Sequence, residues 1–150
     1  MRRFYILATI LIVLTGTAVW AAPQQSTASV PAFPGTLATA RYVYITTENG
    51  NPFEGDQRLL RPEDQVAAGA TQKALQQWGQ VTLVYRPSEA DIVIVVGSHP
   101  SEDVLTVYDG HQWPRGNYLW RVMGRGGLQT GETPLVTQFE KAFENAQKHN

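Results

Sequence analysis

The segment 90–97, ADIVIVVG, constrains the fold more than any other part of the chain. Between its opening Ala-Asp pair and its final glycine, every residue is Ile or Val, and β-branched side chains favour extended backbone. A strand that is apolar without interruption, rather than at every second residue, is typical of a strand whose two faces are both covered. We therefore expect a central strand here, with the other elements arranged around it.

Four further β-rich segments and two amphipathic helices are predicted around this strand. The first helix is expected to begin at Pro62, since proline suits the first helical position, and to end at Trp78 before Gly79. The last helix is expected to begin at Pro134 after the capping residue Thr133. The β-rich segments are 41–47, 81–85, 104–108 and 118–123. The order β-α-β-β-β-β-α predicts an α+β two-layer sandwich, with both helices on one face of a mixed sheet.

Residues 1–21 have the pattern of a secretory signal peptide. Two arginines precede the uncharged, apolar run Phe4–Trp20, which is followed by small residues. Val19 and Ala21 fit the positions −3 and −1, so we expect cleavage after Ala21. The alternative is an uncleaved membrane anchor, although seventeen helical residues span only about 26 Å of an apolar layer about 30 Å thick.

The organisation of the rest of the chain follows from its composition. Residues 22–40 are rich in Pro, Ser, Thr and Ala and are expected to form a flexible linker. Residues 41–149 are expected to form a single α+β domain. The predicted location is the periplasm or the extracellular space, with anchoring in the inner membrane as the alternative if the N-terminal segment is not cleaved.

Charge and cysteine content exclude several classes of function. The chain has no cysteine, which removes disulfides, thiolate metal sites, Fe–S clusters and cysteine catalysis. A cysteine-free exported chain fits a bacterial envelope, where folding needs no oxidising machinery. Cleavage after Ala21 would leave ten basic against thirteen acidic residues, whereas a domain that binds nucleic acid is normally basic. We therefore expect no nucleic-acid partner.

No motif for catalysis or for a cofactor is present. The nearest approach to a metal site is a set of polar residues without a recognised ligand spacing: His99, Glu102, Asp103, Asp109 and His111. Ser98 and His99 are neighbours in the chain, and this adjacency does not orient the serine hydroxyl toward the imidazole as a nucleophile toward its base. The glycine-rich stretch 123–127 matches no phosphate-binding loop and is read as the end of a strand. We expect no enzyme activity, no metal and no cofactor.

The segment 111–127 is the best candidate for an interaction surface. It carries three arginines and no acid in a mildly acidic domain. Strand alternation places Tyr118 and Trp120 on one face and Arg121 on the other, and arginines beside exposed aromatic rings are enriched in protein interfaces. The alternative is that the aromatic residues belong to the core and the arginines only to a solvated face. The candidate residues are Trp113, Arg115, Tyr118, Trp120, Arg121 and Arg125.

Several short motifs resemble those of a family of exported bacterial α+β proteins. They are Trp-Gly at 78–79, ADIV at 90–93, VYDG at 107–110, LWR at 119–121 and Gly-Leu at 127–128. The run of helix, strand and hairpin is also similar, more distantly, to the amino-terminal domain of TolB. The resemblance implies an envelope module that binds a partner protein and has no catalytic site, and it transfers no functional residue. The alternatives are a module that binds a glycan or small ligand, and a membrane-anchored accessory subunit.

Overall fold

The structure is a computed structural model that describes residues 32–50, 60–129 and 131–149. Its five strands and two α-helices follow the predicted order β-α-β-β-β-β-α. The predicted signal peptide, with its cleavage after Ala21, lies outside the described residues. The elements are β1 (Tyr42–Thr47), α1 (Pro62–Trp78), β2 (Thr82–Val84), β3 (Ile92–Ser98), β4 (Asp103–Asp109), β5 (Tyr118–Gly124) and α2 (Pro134–Lys148).

The strands form one mixed sheet in the order β2-β1-β3-β4-β5. β1 pairs in parallel with β2, because α1 carries the chain back to the end of the sheet where β1 begins. β1 also pairs in parallel with β3, which follows β2 after a connection that contains the short 3₁₀ helix 87–89. β3, β4 and β5 are joined as successive antiparallel neighbours. The apolar run predicted to be central is β3, which lies in the middle of the sheet with residues 92–97 buried.

Both helices pack on one face of the sheet, as predicted for a two-layer α+β sandwich. α1 ends at Trp78 because Gly79 adopts the left-handed conformation, with φ 71°, and donates its N–H to the carbonyl of Leu75. The core between the layers contains apolar side chains from both helices and from the inner face of the sheet. Its largest fully buried side chains include Trp120, Phe139, Phe143 and Leu75.

The core begins earlier in the chain than the sequence indicated. Residues 22–40 were expected to be a flexible linker, but Phe33 is buried, with its ring centroid 5.9 Å from that of Trp120 and 5.6 Å from that of Phe139. The short 3₁₀ helix 35–37 follows, and the side chain of Leu37 is buried too. The linker prediction is therefore wrong for residues 33–40, since a single aromatic ring here fills space between β5 and α2.

Candidate interaction surface

β5 forms one edge of the sheet and presents two different faces. Trp120 and Val122 point into the core and are buried. Leu119, Arg121 and Met123 alternate with them and are exposed on the face away from the helices. The accessible fractions of Leu119 and Met123, 39% and 49%, are large for apolar side chains, so this face offers apolar contact area on both sides of a cation.

The loop that joins β4 to β5 lies beside this face. The register between the two strands shifts between Val107 and Tyr108, and Tyr118, the partner of Tyr108, is 55% exposed. Trp113 in the loop is half-buried, and its ring meets that of Tyr108 edge to face at a centroid distance of 4.9 Å. Trp113 thus covers part of a small apolar cluster formed by Tyr44, Ala90, Val93 and Val95.

The three arginines of this region are free of ion pairs with the residues that the structure describes. Arg115, Arg121 and Arg125 are all exposed, and no salt bridge joins any of them to a described acidic side chain. The sequence contains no acid between Asp109 and Glu132. Within the described residues, their positive charge is therefore not neutralised by an ion pair. Together with the exposed side chains beside them, these arginines form the β5 surface: Arg115, Tyr118, Leu119, Arg121, Met123 and Arg125.

The structure separates the predicted interaction residues into three groups. Arg115, Tyr118, Arg121 and Arg125 are exposed and lie on β5 or next to it. Trp113 is half-buried and engaged with Tyr108, so at most part of its ring can contact a partner.

The prediction that Trp120 is an interaction residue is wrong, because only 1% of it is exposed and it packs against Phe33 and Phe139 in the core. Leu119 and Met123 were not among the predicted interaction residues. The strand alternation that placed them beside Arg121 was the signal that could have found them.

A second charged region, the Asp64 network, lies where β1 and β3 end and α1 begins. Asp64 is fully buried and accepts hydrogen bonds with both oxygens. Oδ2 accepts from Asn49 Nδ2 at 3.0 Å and from Arg61 Nε at 3.1 Å. Oδ1 accepts from Arg61 Nη2 at 3.1 Å and from the Ser98 N–H at 3.0 Å. Four donors thus satisfy one carboxylate and connect the start of α1 to the ends of two strands.

The hydrogen bonds also determine the ionisation of Asp64. Burial disfavours the charged carboxylate, but the hydrogen bonds from Ser98, Arg61 and Asn49 outweigh it, so the pKa of Asp64 lies below its usual value. Asp64 belongs to no sequence motif that predicts a site. The available signal was its position, since Asp64 begins the buried stripe of α1 that continues through Ala67, Thr71 and Leu75.

The neighbouring polar side chains are also committed to structural partners. Ser98 Oγ donates to Asp103 Oδ1 at 2.6 Å, while Asp103 Oδ2 accepts the Leu128 N–H at 2.9 Å. His99 Nε2 lies 3.3 Å from Glu48 Oε2. Ser98 is thus bonded to a carboxylate and not to the adjacent His99. Within the described ranges, no three His, Asp or Glu side chains are placed to share a metal ion.

Comparisons with family models, with curated proteins and with solved structures give no match to this chain. The resemblance to exported α+β proteins and to the TolB domain therefore stays a prediction from the sequence. Neither α1 nor α2, the two helices of the described part, has the length and apolar character needed to cross a membrane.

Proposed function

We propose that this chain is a non-enzymatic, exported protein of the bacterial envelope that binds another protein through the β5 surface. The single observation that carries the proposal is an edge strand with exposed apolar side chains around an arginine that has no ion-pair partner among the described residues. Arginines beside exposed apolar and aromatic side chains are enriched in protein interfaces.

The export part of the proposal is supported by the sequence. The N-terminal pattern of two arginines, an apolar run and small residues up to Ala21 is that of a secretory signal peptide. The absence of cysteine agrees with folding in a bacterial envelope. In that compartment the partner would be another envelope protein. The three exposed arginines, which have no ion pair with a described acid, favour a partner with an acidic surface.

The experiment compares two triple charge reversals in binding to a native envelope extract. The test variant carries Arg115→Glu, Arg121→Glu and Arg125→Glu. The matched control carries Lys73→Glu, Lys141→Glu and Lys148→Glu, three exposed lysines of the helices, and has the same net charge. Immobilised wild-type protein and both variants are incubated with the extract, and the bound proteins are quantified by mass spectrometry.

We expect that at least one envelope protein is retained by the wild type and the lysine control but lost by the arginine variant. A bound set that is identical for all three proteins contradicts it. Retention of carbohydrate without any such protein also contradicts it and favours the glycan-binding alternative. The structure exposes fewer aromatic rings for glycan binding than the sequence suggested, because Trp120 is buried and Trp113 packs on Tyr108.

A further inference from the structure

The direction of the backbone groups in β5 follows from the hydrogen bonds at the two ends of the β3–β4 ladder. His99 donates its N–H to Glu102 O at 3.0 Å, and Gly110 donates to Asp91 O at 2.9 Å. In an antiparallel ladder the residues that bond to a given neighbour alternate along the strand. The β4 residues that bond to β3 are therefore Val104, Thr106 and Tyr108, and the β4 residues between them face β5.

The same alternation continues into β5. Leu105 and Val107 face β5 and are paired with Val122 and Trp120, respectively. The N–H and C=O groups of Arg121 and Met123 must then point away from β4, into the open edge. Among the described residues, no hydrogen bond to these outward groups is found. In the part of the chain that the structure describes, the edge therefore presents two N–H donors and two C=O acceptors in the spacing of a β-strand.

The side chains at this edge indicate what kind of strand would fit. A residue placed directly opposite Arg121 on an added strand would have its side chain on the same face as the guanidinium. Arg121 is exposed and has no described ion-pair partner, so an acid is favoured at that position. Leu119 and Met123 lie on either side along the same face, which favours apolar residues two positions before and after the acid.

We infer that β5 binds its partner by strand addition, and that the bound segment is an extended peptide with the pattern apolar-x-acid-x-apolar, its acid opposite Arg121. This inference rests on the proposed function and specifies the binding mode. Main-chain hydrogen bonds to Arg121 and Met123 provide affinity, and the acid and apolar side chains provide specificity. Arg115 and Arg125, next to the two ends of the strand, attract an acidic segment from a distance.

A second copy of this chain fits the edge less well than an acidic segment. Two β5 strands paired antiparallel about Arg121 would place two arginines directly opposite each other, and like charges at that position are destabilising. Sliding the strands apart by two residues places each arginine opposite a methionine, which leaves both cations without an acid. A charge in the middle of an edge strand is also a common means of preventing self-association.

The experiment titrates defined peptides into ¹⁵N-labelled protein, expressed as the full chain and purified from the envelope. The probe is the acetylated and amidated peptide Thr-Val-Thr-Glu-Thr-Val-Thr, and the matched control has Lys in place of Glu. Amide chemical shifts report binding down to millimolar affinity. We expect saturable shifts centred on Arg121 and Met123, and about fivefold weaker binding of the Lys peptide. In the Arg121→Glu variant the preference for the Glu peptide over the Lys peptide should reverse, because the side chain opposite the central peptide residue is then negative. Arg121 is exposed, so its replacement leaves the fold intact.

Two N-methylated versions of the Glu peptide test the backbone hydrogen bonds. Methyl groups on the amides of Glu and the two Val residues block the peptide edge that would face β5, whereas methyl groups on the amides of the last three Thr residues block the opposite edge. If the peptide binds by strand addition, only the first version should lose binding.

Equal losses for the two methylated peptides, shifts located elsewhere, or no shifts with any peptide would overturn strand addition. Shifts that depend on protein concentration without peptide would instead assign the edge to a second copy. The proposed function itself stands or falls on the arginine and lysine variants in the envelope extract. If the extract experiment succeeds and the peptides fail, only the binding mode is wrong.

Discussion

The two charged regions of this protein differ in how their charges are satisfied. In the Asp64 network the buried carboxylate accepts four hydrogen bonds from groups of three other residues. On the β5 surface, exposed arginines lie on or next to an open edge strand, with no ion pair to any acid that the structure describes. Buried charges that are fully paired position elements of a fold, whereas exposed charges without partners contribute little to stability. The difference separates residues that hold the fold from residues available for binding.

The contrast is sharpest between two adjacent residues of β5. Replacing Trp120 by Ala is expected to lower the free energy of unfolding by about 4 kcal/mol, because a fully buried ring that packs on Phe33 and Phe139 is lost. Replacing the exposed Leu119 by Ala is expected to change it by less than about 0.5 kcal/mol. Urea unfolding followed by circular dichroism measures both. Similar losses in the two variants would contradict the assignment of the two faces.

The Asp64 network is tested in the same way with neighbouring acids. Asp64→Ala is expected to lower the free energy of unfolding by about 3 kcal/mol, because the Ser98 N–H, Asn49 and Arg61 lose their shared acceptor. Glu63→Ala is the matched control, since Glu63 is exposed in the same helical turn, and a change below about 0.5 kcal/mol is expected. If both variants unfold at the same urea concentration, the network does not hold the fold.

The ionisation of Asp64 makes its contribution depend on pH. The folded-state pKa of Asp64 lies below that of the unfolded chain, which is about 3.9. Its stabilisation is therefore fully present above the unfolded value and is lost as the pH falls through the folded value. The difference in unfolding free energy between wild type and Asp64→Asn should be constant from pH 7 to pH 5 and shrink below about pH 4. A difference that grows as the pH falls would contradict this account.

The smallest effect on stability is expected on the β5 surface. Arg121→Glu is expected to change the free energy of unfolding by less than about 0.5 kcal/mol, because the guanidinium is exposed and has no ion pair with a described residue. Thermal unfolding of wild type and variant checks this. A loss above 1 kcal/mol would mean that Arg121 holds the fold, and the two regions would then not differ as proposed.

Local sequence patterns predicted most of the fold. The uninterrupted apolar run marked β3 as the central strand, and Pro62 and Gly79 marked the two ends of α1, because each of these signals acts within a few residues. Phe33 and Asp64 could not be placed in the same way. The burial of Phe33 depends on a gap between β5 and α2, which are far away in the chain, and that of Asp64 depends on a donor from β3.

The candidate surface was predicted only in part for a related reason. Strand alternation correctly placed Arg121 on the face opposite Trp120. It does not indicate which of the two faces the helices cover. The sequence alone therefore predicts Trp120 as an interaction residue, although its ring contacts Phe139 of α2. The shift in register near Tyr108, which accompanies the exposed Tyr118, has no marker in the sequence alone.

The most direct test of the β5 surface is site-specific photo-crosslinking in living cells of the native host. A photoreactive phenylalanine analogue replaces Leu119 on β5 or, as the control, Tyr85, which follows the strand at the other edge and is 65% exposed. We expect a protein adduct of defined mass from position 119 and none of that mass from position 85. Adducts that are the same at both positions, or no protein adduct at position 119, would contradict it.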